Sequence, residues 1–268
     1  MTEYKIGKGS NLSQDNNVQL ALEMAELQLK YLFHVLEKGL EKDFEKALSG
    51  YTSIVSVIQK PPSFNEKNAD WQFALNSMRE KYLKFICRSD GTAFARESMK
   101  IITPFISCSA LIVPPAHQWF GCFCYDYVPE RKHIYLHFKN ACMPESPFAF
   151  PDDRISELVA VIKDIQTKSF VPETIGCNSW LNELAVFQSF FPREYSQSFM
   201  VSPQDSKGGY GWWGQFVTKE GRFNKSKAEQ FEKNMTFQFQ RIIAQCAYSA
   251  FVRHVSVAKD ICFHKTRL

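Results

Sequence analysis

The 268-residue chain is 45% hydrophobic and 22% charged, the balance of a globular protein rather than a disordered or fibrous one. Its net charge of +4 and pI near 8.5 fall short of the clustered basic character of nucleic-acid-binding domains, so no nucleic-acid partner is expected. The longest stretch without Lys, Arg, Asp or Glu, from Ile101 to Tyr125, is interrupted by Pro104, Pro114, Pro115, His117 and Gln118, which argues against a membrane span.

The first helical signal begins at Val18. Leu22, Ala25, Leu29, Leu32 and Leu36 follow at spacings of four and three, and Leu40, Phe44 and Leu48 continue it. This predicts one long amphipathic helix, capped by Ser13 or Asp15 and stopped at Gly50. A short apolar segment, Tyr51 to Ile58, ends at Pro61-Pro62. A second helix is expected from Ala69 to Arg88, with Trp71, Leu75, Met78, Tyr82 and Phe85 on one face, and a shorter one from Thr92 to Ile102.

After Pro115 the period changes to two. Trp119–Tyr127 and Lys132–Asn140 read as strands joined by a loop at 128–131. Arg154–Lys168 reads as a helix with Ile155, Leu158, Val159 and Ile162 inward. Asn178 or Ser179 is placed to cap a helix from Trp180 to Phe191, ended by Pro192. GGYGWWGQFVTKEGRFN has the pattern of a second hairpin turning at Lys219-Glu220-Gly221. A last helix runs from after Asn224 or Ser226 to about His254. The fold class expected is α+β: a helical bundle segment over 1–106, followed over 107–268 by an antiparallel sheet covered by helices. The two parts can also form one continuous domain.

The polar N-terminus has no apolar h-region of a secretory signal. The eight cysteines include no C-x-x-C pair. Both features fit a cytoplasmic protein with reduced thiols. Aromatic residues reach 15%, 24 of them Phe, enough for a large core or an apolar-walled pocket.

The first hairpin concentrates the reactive side chains. With 128–131 as the loop, Asp126 faces His133, Cys124 faces Tyr135 and Cys122 faces His137. Alternation puts these six on one face, and Phe123, Tyr125, Ile134 and Leu136 on the other. Cys122, Cys124, His133 and His137 invite a metal reading, although C-x-C on a strand departs from standard zinc spacing. A Cys122–His137 nucleophilic pair is a further option. A sheet face covered by a helix, with no chemistry, accounts for the same residues.

Later blocks set polar groups beside large rings: Leu136–Asn140 (LHFKN), Ser146–Phe148 (SPF), Asn178–Leu181 (NSWL), Phe190–Pro192 (FFP) and Trp213–Phe216 (WGQF). In this order they resemble an uncharacterised bacterial protein family, over roughly residues 136 to 216, about a third of the chain. That family prefers W-L-Y-N where this chain has Trp180-Leu181-Asn182-Glu183. The resemblance implies a domain of bacterial origin and adds no reaction. Sheet followed by helix is also the order of the acetyltransferase fold, an analogy at the level of fold alone. The pyrophosphate loop of that fold is missing after Phe138, where KNACMPESPF stands. No P-loop, G-x-G-x-x-G, H-E-x-x-H or G-x-S-x-G motif occurs, so no cofactor is identified.

The function expected is binding of a small, partly apolar ligand in an aromatic-lined pocket, with acyl-type group transfer as the reaction if the protein is an enzyme. His137 is the candidate general base. Asn140, Ser179 and Gln215 are candidates to orient substrate, with Trp180 and Trp213 as walls. The alternative is a non-catalytic interaction protein whose N-terminal helices form a homodimer seam or bind a partner.

Overall fold

A computed structural model describes residues 14–57, 68–106, 118–202 and 210–265. The helices of the first half are α1 (Gln14–Glu37), α2 (Phe44–Tyr51), α3 (Ile54–Val57), α4 (Ala69–Ile86) and α5 (Gly91–Ile102). The chain then forms β1 (Phe123–Val128), β2 (His133–Phe138), α6 (Pro151–Gln166) and β3 (Thr174–Ser179). After these come α7 (Ala185–Gln188), α8 (Arg193–Gln197), β4 (Met200–Val201), α9 (Tyr210–Trp213), α10 (Lys225–Glu232), β5 (Ile242–Ala247) and α11 (Tyr248–Lys265). The class is α+β.

The long N-terminal helix expected from the spacing is two helices. Gly39 adopts φ +63°. Its N–H donates to the Leu36 carbonyl, and the Leu40 N–H donates to the Val35 carbonyl at 3.0 Å. This paired closure at a left-handed glycine ends α1. Asp43 then accepts from the Lys46 N–H and starts α2. Two further caps set the bundle: Asn68 accepts from the Asp70 and Trp71 N–H groups, and Asp90 from that of Ala93. The Ser13 cap, the end of the Tyr51–Ile58 segment, Pro61-Pro62, His117 and Gly208-Gly209 lie outside the described residues.

Leu29, Leu32, Leu36, Phe44 and Leu48 are buried within the chain, in a core shared with Trp71, Met78 and Phe94. Trp212, Trp213, Phe216, Phe231 and Phe237 enter this same core from the second half. There Tyr31 of α1 meets Trp213, Phe231 and Phe237 edge-on or tilted, with ring centroids 5.3 to 5.7 Å apart. Such geometries suit the ring quadrupole.

The sheet has the order β1-β2-β3-β5-β4. Among the described residues only β2 and β3 pair in parallel, and α6 is the crossover that a parallel pair requires. Ile134, Leu136, Ile175 and Cys246 pack on Leu158 and Ile162 of α6 and on Phe251 and Val255 of α11. β3 and β5, neither expected from the sequence, are the middle of the sheet. β5 occupies residues assigned above to the last helix. The Trp180–Phe191 helix is instead a 3-10 turn at Trp180–Glu183 followed by α7. The second hairpin shrinks to one bridge, Val217 with Phe223, around the expected turn, because Tyr210–Trp213 is helical.

Candidate functional site

The β1–β2 register differs by two residues from the one expected. Pro129–Arg131 form a 3-10 turn and Lys132 takes φ +45°, so the loop is 129–132. Val128 then faces His133, Asp126 faces Tyr135 and Cys124 faces His137. A shift of two preserves the side-chain faces. Phe123, Tyr125 and Tyr127 share the helix-covered face with Ile134, Leu136 and Phe138. Cys124, Asp126, His133, Tyr135 and His137 share the other.

Asp126 pairs with His137 rather than with His133. His137 Nε2 donates to Asp126 Oδ2 at 2.8 Å, with 37% and 50% of the two side chains exposed. The carboxylate fixes the neutral ring as the Nε2–H tautomer, which puts the basic lone pair on Nδ1. The Tyr135 ring lies 5.2 Å from the imidazole. Its hydroxyl meets the Arg241 guanidinium and the Asn178 backbone, and burial raises its pKa. His133 is bonded through Nδ1 to Thr174 Oγ1 at 2.8 Å and so joins β2 to β3.

Cys124, across from His137, is buried, and burial followed by the Asp126 charge pushes its thiol up to about 12. A thiol so placed is not the thiolate that a Cys–His mechanism uses at neutral pH. Cys122 leaves the face expected for it. It lies in the core packed by α6, with its sulfur 3.8 Å from that of Cys142. Among the described residues no group of three or more His, Cys, Asp or Glu is arranged to hold a metal ion.

The other site residues expected from the sequence make internal hydrogen bonds. Asn140 donates to the carbonyls of Glu145 and Lys219 and accepts from the Cys142 N–H. Gln215 clamps Phe239, donating to its carbonyl and accepting from its N–H. Ser179 caps the Leu181 N–H. Trp213 is buried in the helical core. Trp180 donates to the Gly211 carbonyl and stacks on Phe239. Trp180, Trp213 and Gln215 thus meet around the 211–216 turn and Phe239, whereas His137 lies on the sheet. The cleft beside Gln215 and Phe216 measures ≈ 150 Å³, below the few hundred Å³ of ordinary ligand pockets.

Sequence reasoning did not find the cluster at the start of α6. Arg154, with 4% of its side chain exposed, holds Glu157 through Nε at 2.8 Å and Nη2 at 2.6 Å. Its Nη1 donates to the Pro147 carbonyl and to Cys142 Sγ, both at 2.8 Å. Glu157 also accepts from the Cys122 N–H. The i, i+3 spacing of Arg154 and Glu157 was the one signal available. Among the described residues no helix is long and apolar enough to cross a membrane. No protein-family model, curated protein or solved structure matches the chain.

Proposed function

We propose that the chain is a group-transfer enzyme of acyl type acting on a small, partly apolar substrate, with His137 as general base. The observation that carries this reading is the Asp126–His137 hydrogen bond of 2.8 Å on a part-exposed sheet face. A carboxylate that orients an imidazole and stabilises its protonated form is the usual support for a histidine base. Tyr135 beside the imidazole, with Arg241 at its hydroxyl, supplies polar groups toward an oxygen that gains negative charge. Lys139, stacked over Trp119 at 4.1 Å, joins a charge to an apolar surface, which suits a substrate of mixed character.

The test is a turnover screen of full-length protein with short- and medium-chain acyl thioesters and nitrophenyl esters, each with amine and alcohol acceptors. His137→Ala should lower turnover on the order of 10²–10⁴-fold. An activity that survives this substitution unchanged overturns the base assignment.

A second reading, self-association, draws on α4, where Phe73 and Leu83 are 74% and 60% exposed. It moves the seam away from the α1–α2 face, where Leu29, Leu32, Leu36, Phe44 and Leu48 are already buried within the chain. Light scattering of the wild type and of Phe73→Ser/Leu83→Ser decides it: a dimer that the double variant dissolves supports the seam, and a wild-type monomer removes it.

A further inference from the structure

The Cys122–Cys142 pair is absorbed by neither reading. Its sulfurs are 3.8 Å apart, so a closure of roughly 1.8 Å would bring them to disulfide length. The two residues belong to different segments, the start of β1 and the loop between β2 and α6. Their environments differ in the way a two-thiol redox site requires. Cys142 is half-buried and Cys122 is fully buried. An oxidant arriving from solvent therefore meets Cys142 first. The Arg154 guanidinium donates to Cys142 Sγ at 2.8 Å and is held there by Glu157 and the Pro147 carbonyl. This contact holds Cys142 Sγ in place beside the Cys122 sulfur. The charged groups facing the pair are Arg154, Glu157 and Lys139, with Glu157 tied to the Cys122 N–H.

We infer that Cys142 and Cys122 form a peroxide-responsive modification site in which Cys142 attacks and Cys122 resolves. The Cys142 sulfur gives up its proton and attacks one oxygen of hydrogen peroxide. The O–O bond breaks, Cys142 becomes a sulfenic acid, and the departing hydroxide takes up a proton to become water. Cys122, a thiol that burial pushes up to about 12, then attacks the sulfenic sulfur with its proton still on it. An S–S bond forms, the S–O bond breaks, and the Cys122 proton leaves with the hydroxyl as a second water. One peroxide is reduced to two waters while two thiols are oxidised to one disulfide. A small thiol reductant reverses the change by exchange.

The experiment is stepwise peroxide treatment of the full-length protein, then intact mass and non-reducing peptide mapping, with the exposed Cys87 as internal reference. The expected result is a loss of about 2 Da before Cys87 is oxidised, with residues 140–154 linked to the peptide containing Cys122. Cys124→Ser keeps the link. Cys122→Ser replaces it with a Cys142 sulfenic acid that dimedone traps, and Cys142→Ser gives neither product. A link that persists in Cys122→Ser, or Cys142 left intact once Cys87 is fully oxidised, overturns the proposal.

Discussion

Asp126 and His137 meet diagonally across the β1–β2 hairpin, with Oδ2 and Nε2 2.8 Å apart, while the residue directly opposite Asp126 is Tyr135. The pair is part-exposed on both sides. Its electrostatic contribution to folding is therefore small, about 0–1 kcal/mol. A catalytic role and a structural role consequently give different results on the same two variants.

His137→Ala and Asp126→Asn should leave urea-unfolding stability within about 1 kcal/mol of wild type. Turnover on a screened substrate should fall steeply in the first. In the second it should fall less, because the imidazole is still present and loses only the carboxylate beside it. Equal unfolding midpoints with unequal rates support the base. A large stability loss in both would instead make the pair a strut of the sheet.

His133 shares that face and behaves differently with pH. Burial, then the Arg131 cation, lowers its pKa below the usual 6.5, so the folded state holds the ring neutral against Thr174. A depressed folded pKa means that the unfolded chain binds more protons between the two values. The stability His133 contributes is therefore present above pH 6.5 and is lost as pH falls through the folded pKa. His34 is lowered as well, first by burial and then by Lys38, and acts in the same window. Unfolding of wild type and His133→Gln, compared at pH 7.5 and pH 5, isolates the His133 share. The wild type should lose more stability on acidification than the variant.

Asn182 is the hub of the central strands. Buried completely, it accepts from the Tyr195 hydroxyl at 2.8 Å and donates to the Ile242 carbonyl at 2.7 Å. Asn182→Ala takes the amide donor from the Ile242 carbonyl and leaves the buried Tyr195 hydroxyl only the Cys177 sulfur at 3.0 Å, and should cost about 2–3 kcal/mol. Tyr195→Phe should cost nearer 1 kcal/mol, because Cys177 still reaches Asn182 Oδ1 at 3.4 Å. The double variant should fall short of the sum, since the two share one bond. Additive losses in denaturant titrations would separate the two residues.

The same hub shows where sequence reading stops. Helical spacing located α4, α5 and α6 within a few residues because each has one buried stripe and a polar cap or break. Alternation assigned the faces of β1 and β2, since a shift of two leaves parity intact. The register itself depended on Lys132 entering the left-handed region, a state that lysine gives no local warning of. β5 was folded into a helix because IIAQCAYSAFV is apolar enough for either element. The aromatic blocks have the composition of pocket walls, yet Gln215, Asn140 and Ser179 direct their polar groups to nearby backbone. Composition cannot distinguish a ring facing a ligand from a ring facing another ring. The Arg154 cluster draws on three segments, so no window of sequence contained it.

Two glycines with positive φ provide a matched pair. At Gly39, φ +63°, an added Cβ meets nothing within 4 Å. Gly39→Ala should therefore cost only the left-handed backbone penalty, about 1–2 kcal/mol. At Gly121, φ +61°, the added Cβ would overlap the Glu157 carboxylate. The backbone penalty is the same, but Glu157 must also leave Arg154 and the Cys122 N–H. Separating a largely buried ion pair raises the expected loss to about 3–5 kcal/mol. Denaturant unfolding of both variants measures the difference, which is the contribution of the clamp. If Gly121→Ala costs no more than Gly39→Ala, Glu157 swings aside freely and the clamp adds nothing to the fold. If the gap is as large as expected, a third variant, Glu157→Gln, should recover little of it, because the amide cannot replace the charge that Arg154 faces.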